Sequence, residues 1–220
     1  MIDGVPKHGI RLQNEILDIY IPAINWEDAH IRRQVSSLTA YKEEGGARYI
    51  IQALRKSSLW GWKFEMHFSL NWYDIWKIVN IDRPDIKDKD YKYMALLSTG
   101  TACYHDVYDS LEFHDGVSVD LIARRMIAFH NDVAVPFFRR WGDIRANAEA
   151  FFNSTPEAEI VALLPSRLAK MAVAIAIIDH DKDFALSMIE KQTKYLEPKH
   201  VTNRNEFQDF VAVLREKHMI

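Results

Sequence analysis

Eight glycines and seven prolines in 220 residues fall between stretches of helical period, and this placing of chain-breaking residues limits the available folds more than any other feature. It predicts an all-α protein, a compact array of antiparallel helices with short connections. The last stretch, NRNEFQDFVAVLREKH, sets Phe207, Phe210, Val211 and Leu214 on one stripe, with Asn203 and Glu206 at capping-box spacing. Asp181 to Leu196 repeats the stripe with Phe184, Ala185, Met188, Ile189 and Leu196, and Pro198 stops it. SRLAKMAVAIAII is apolar on nearly every face beyond Lys170 and belongs at the centre of the fold. NWEDAHIRRQVSSLTAYKEE reads as a helix capped by Asn25 and ended by Gly45 and Gly46, with Ala47 opening another. Further on, Pro136 should kink or divide the helix that carries Ile122, Met126, Phe129 and Val133. The array forms one domain or two packed halves, 1–116 with the tryptophan-rich segment and 117–220, meeting near Gly116.

One segment carries two periods at once. In WGWKFEMHFSL, Trp60, Trp62, Phe64, Met66, Phe68 and Leu70 alternate with small or polar residues, as in a strand. Trp60, Phe64, Phe68, Trp72 and Trp76 also form an i, i+4 ladder along a helix. No hairpin turn or alternating partner follows, so the helix is expected.

Charged residues make up 27% of the chain and the formal net charge is −3, a balance that gives no reason to expect nucleic-acid or anionic-membrane partners. Cys103 has no internal partner and apolar neighbours, so a buried, inert thiol is expected. The amino-terminal residues lack a basic region followed by an apolar core, and the run MAVAIAII is too short to span a bilayer. These features predict a cytoplasmic protein.

YHDVYDSLEFHDG, Tyr104 to Gly116, is the densest cluster of chemistry-bearing residues. On a helix, Tyr104, Val107, Tyr108 and Leu111 face inward, while His105, Asp109 and Glu112 share a neighbouring face. Asp106, Asp109, Glu112 and Asp115 would then lie at the helix end before a Gly116 cap, where the dipole disfavours negative charge by up to about 1 kcal/mol each. His114, Arg124 and Arg125 are at hand to offset that cost. A metal-dependent phosphohydrolase of the HD type would need a His, a His-Asp pair and a distant Asp. His67, His105 with Asp106, and Asp179 or Asp132 occur in that order. Asp179 and Asp181 are better explained as turn and cap residues, and His130 as a partly buried hydrogen-bonding side chain. With no Walker loop, dinucleotide-binding glycine set, paired CxxC or nucleophile elbow, neither cofactor nor metal is expected.

The aromatic density of Trp60 to Trp76, with four of the chain's six tryptophans, suggests core, but Trp60 and Trp62 flank Gly61 close to Lys63 and Arg55. Exposed tryptophan beside charge makes an interface anchor. Trp60, Trp62, Asp106, Asp109, Glu112 and Asp115 are therefore the expected partner-binding residues. DYKYMALLSTG (90–100) and LAKMAVAIAIIDHDKDF (168–184), where an apolar helix runs into an acidic turn, resemble the helical immunity proteins that bacteria make against polymorphic or contact-dependent toxins. The resemblance implies a non-enzymatic binder that sequesters another protein, a basic toxin domain in its most concrete form. The HD-type hydrolase and a helical-repeat scaffold are the alternatives.

Overall fold

The structure, a computed structural model, describes residues 7–87, 91, 95–104, 110–146, 148, 165–198 and 201–220. It is mixed α and β, with a six-stranded antiparallel sheet, and the expected all-α array is corrected on that ground. The chain forms two compact units, each assembled from two stretches: 1–70 with 98–142, and 71–97 with 143–220. Gly116 falls inside the first of these.

The first unit opens with helix α1 (Lys7–Ala23), followed by strands β1 (His30–Gln34), β2 (Ser37–Glu44), β3 (Ala47–Ser57) and β4 (Trp62–Trp72), whose last two residues enter the second unit. Strand β5 (Leu97–Gly100) completes the order β1-β2-β3-β4-β5, and the two-residue β6 (Glu112–Phe113) pairs with the start of β4. The residues read as a helix ending at Gly45 and Gly46 are thus two strands and a turn, and Ala47 opens a strand. Glu44 lies opposite Ala47, leaving Gly45 and Gly46 as a two-residue loop with φ of 59° and 79°. Positive φ at both central positions gives a turn whose twist matches the flanking strands, and glycine reaches it without a Cβ clash.

WGWKFEMHFSL is also a strand, against the helix expected for it. Its partner β3 precedes it, joined through Ser58–Gly61, and its downstream partners β5 and β6 lie 25 or more residues further along the chain rather than across a hairpin turn. Phe64, Met66, Phe68 and Leu70 are fully buried, while Lys63, Glu65 and His67 between them are half-exposed. Opposed pairs Leu38 with Ala53 and Ala40 with Ile51 extend the apolar face across β2 and β3. Helix α3 (Val119–Phe129), capped by the Ser118 hydroxyl, buries Ile122, Ala123, Met126 and Phe129. The segment His130–Ala134 is a π-turn leading into α4 (Val135–Trp141). Pro136 lacks an N–H and its ring crowds the carbonyl four residues back, which a widened turn relieves. Phe68 packs on Phe129, His130 and Phe138, with ring centroids 5.5, 5.8 and 6.3 Å away.

The second unit contains α2 (Tyr73–Val79), α5 (Pro165–Asp179), α6 (Lys182–Leu196) and α7 (Val201–Glu216). Leu168 to Ala176 are all buried, as the apolar run of α5 requires. Lys170, the charge within it, donates to Asp82 at 2.6 Å and lies 5.4 Å from the Phe210 ring. Asp181 caps α6 through the Phe184 N–H at 2.8 Å, and the expected stripes of α6 and α7 face inward except for Phe184, which is half-exposed. Asn203 and Glu206 lie inside α7 and receive the Ser166 hydroxyl, so they do not form the capping box expected of them.

Candidate functional site

The loop between β3 and β4 is closed by the Ser58 N–H donating to the Gly61 carbonyl at 3.0 Å. Leu59 and Trp60 occupy its tip, 94% and 77% exposed, the two most exposed large apolar residues among those described. Trp62 turns back and is only half-exposed, its ring 6.0 Å from the Arg55 guanidinium. A Cβ placed on Gly9 of α1 would stand 2.7 Å from that indole, so Trp62 is wedged under the first turn of α1. Burial lowers the Arg55 pKa, and the indole face offers its guanidinium an attraction that does not require a hydrogen bond.

Strand β6 supports this tip from the side. Trp62 lies opposite Phe113 and Lys63 opposite Glu112, and the Phe64 N–H reaches the Leu111 carbonyl at 3.3 Å. Phe113 is buried and stacked on Phe64 at 4.9 Å. The Ser58 hydroxyl donates to the Glu112 carboxylate, tying the loop to β6. At Gly61 a Cβ would stand 2.6 Å from the Phe113 carbonyl oxygen and 2.8 Å from the His114 Cβ, so only glycine lets the two backbones approach this closely.

Of the expected partner-binding residues, Trp60, Trp62 and Glu112 therefore meet on one edge, although some fifty residues separate the tryptophans from the acid. Asp115, exposed, follows His114 just beyond β6. Asp106 and Asp109 lie outside the described residues. The helix end expected at Leu111 to Gly116 is corrected: Glu112 and Phe113 are strand and His114 to Gly116 a turn, because β4 offers them backbone partners. Arg125 donates to the Ser110 carbonyl at 2.7 Å and Arg124 to the Asp120 carbonyl at 3.3 Å. Cys103, expected to be buried, is exposed in the turn Thr101–Cys103, where partial desolvation raises its thiol pKa.

A cleft of about 630 Å³ that the sequence did not reveal lies at the turn end of β2 and β3, lined by Glu27, Asp28, His30, Tyr41, Lys42, Glu43, Glu44 and Arg48. His30 stacks on Tyr41 at 5.1 Å and the Arg48 guanidinium covers the same ring at 4.9 Å. Arg48 pairs with Glu43, and Lys42 with Glu44 at 2.7 Å, which holds the Glu44 carboxyl below its usual range. The cations here are matched by carboxylates of β2, Lys42 on the same strand and Arg48 across from β3, and are not arranged as a nucleophile with its base. The signal that would have found this cleft is the Gly45-Gly46 turn.

His130 is 2% exposed beneath Trp26, Phe68 and Tyr20, its Nδ1 3.3 Å from the Tyr20 hydroxyl. Burial lowers its pKa to about 4 and raises that of Tyr20, so both are neutral at pH 7. Of the HD-type set, His67 lies 2.8 Å from Glu65, Asp179 pairs with Arg145 at 3.4 Å, and Asp132 is exposed. His105 and Asp106 are outside the described residues. Among the described residues no three His, Cys, Asp or Glu side chains group as metal ligands, and no helix is long and apolar enough to cross a membrane.

No protein-family model, curated protein or solved structure matches the chain. What the molecule can do is read from its own surface.

Proposed function

We infer that this chain is a non-enzymatic, cytoplasmic protein-binding protein that inserts the Leu59–Trp60 tip into a partner, most concretely an immunity-type inhibitor sequestering a cognate toxin domain. The observation that supports it is the near-complete exposure of two large apolar side chains on a loop braced by Ser58, Gly61 and β6. Burying each in a partner's pocket is worth about 1.5–3 kcal/mol, and a braced loop loses little freedom on docking. Tryptophan at the centre of a desolvated contact is the usual anchor of such interfaces. Glu112 and Asp115 beside the tip, with Asp106 and Asp109 a few residues earlier in sequence, favour a basic partner and speed its approach.

Replacing Trp60 with a photo-crosslinking phenylalanine derivative in the native cytoplasm should trap one protein that the same group at Leu186 does not. With that partner purified, Leu59→Ser/Trp60→Ala is expected to weaken binding at least a hundredfold while leaving the melting temperature unchanged. Equal affinity of the double variant would refute the reading.

A further inference from the structure

Gly9 is the one described glycine that lies inside a helix, where alanine is the better helix former. Its neighbour gives the reason. A Cβ at this position would stand 2.7 Å from both Cε2 and Cζ2 of the Trp62 indole and 3.0 Å from Nη1 of Arg55, and 2.7 Å is closer than packed carbons come. The indole is also flanked by the Arg55 guanidinium, 6.0 Å from its ring, and by the Phe113 ring at 6.1 Å. Trp62 therefore occupies a slot that exists because Gly9 has no side chain.

Trp62 is also where the docking loop closes. The acceptor of the Ser58 N–H is the Gly61 carbonyl, which shares one peptide plane with the Trp62 nitrogen. That plane is rigid, so a shift of the Trp62 backbone swings the oxygen that closes the loop. Leu59 and Trp60, the exposed pair at the tip, lie between the two ends of this single hydrogen bond.

We propose that the first turn of α1 sets the posture of the Leu59–Trp60 tip and thereby the affinity of docking, with Gly9 and Trp62 as the positioning residues, a control that rests on the tip-binding function proposed above. Each step of the coupling is a contact within the first unit. The bulk at position 9 fixes where the indole lies, the indole fixes the Gly61–Trp62 peptide, and that peptide holds the loop closed. Displacing the first turn of α1 releases the tip without touching it.

Hydrogen exchange of the Ser58 amide in the full chain reads the loop without any partner. Gly9→Ala should speed it about tenfold or more while leaving the Ile51 amide of β3 near its parent rate. Trp62→Phe leaves a gap beside Gly9 and should speed the same amide. In Gly9→Ala/Trp62→Phe the added methyl fills part of the space of the lost ring, so the Ser58 rate should return towards that of the parent. With the partner trapped at Trp60, Gly9→Ala should weaken binding about tenfold and the size-swapped pair should restore it. If Leu59→Ser/Trp60→Ala bound as tightly as the parent, the docking reading would fail, while the exchange rates would still decide the coupling. A Ser58 amide unchanged in Gly9→Ala, an equal acceleration at Ile51, or a double variant that exchanges no more slowly than Gly9→Ala would each overturn the proposal. So would unchanged binding by Gly9→Ala to a partner that the Leu59→Ser/Trp60→Ala variant has lost.

Discussion

His130 is protonated in the unfolded chain below about pH 6.5 but stays neutral in the fold until about pH 4, because Tyr20, Trp26 and Phe68 exclude water from its ring. Its folded pKa is lowered, so the unfolded state binds more protons between those two values. Stability is therefore lost as pH falls through that window, by about 3 kcal/mol on reaching pH 4. Urea titrations at pH 7 and pH 4 should show a loss in the parent that exceeds the loss in His130→Gln by roughly that amount. Equal losses would mean that water reaches the ring. The buried Lys170–Asp82 pair makes the opposite kind of test. Lys170→Met strands a buried carboxylate and should cost about 3–5 kcal/mol, while Lys170→Met/Asp82→Leu should recover most of it. A single variant that unfolds at the parent's urea midpoint would show the pair to be solvated.

The β3–β4 hairpin shows why the element type was the hard part of the sequence. Every i, i+4 step is also an even step, so the ladder Trp60, Phe64, Phe68, Trp72 fits a strand face as well as a helix stripe. Period alone could not separate them, and the deciding partner lay upstream, in residues that themselves looked helical. Two glycines in the loops that join these strands test the reading by different mechanisms. Gly45 has positive φ and open space, so Gly45→Ala should cost only the conformational penalty, about 1 kcal/mol. Gly61→Ala drives a Cβ into the Phe113 carbonyl and should cost more, about 1–3 kcal/mol, by forcing β6 off β4. Chemical denaturation of both variants gives the order, and a Gly61→Ala variant no weaker than Gly45→Ala would mean that β6 moves freely. Within this site, Trp60 and Glu112 were legible as individual residues of interest. That the Ser58 hydroxyl would join them was not, because that contact spans 54 positions.

On the scale of the whole molecule, a helical unit and a sheet-bearing unit share one chain of ordinary composition. Infrared amide bands and far-UV circular dichroism should show an antiparallel-sheet component beside the helical one, and a purely helical spectrum would overturn the strand assignments. The stripes of α6 and α7, the buried α5, the Asp181 cap and the break at Pro136 could all be read from sequence. Each is settled within a few residues, because a helix closes its hydrogen bonds four residues along its own chain. Strands β2, β3 and β4 could not be read that way, since a strand's donors and acceptors need another segment and its register is a property of the pair. Tertiary structure alone decided that Gly45 and Gly46 turn a hairpin and that Glu112 braces the Leu59–Trp60 tip. Both depend on which distant backbone arrives beside a residue, and local periodicity carries no information about that.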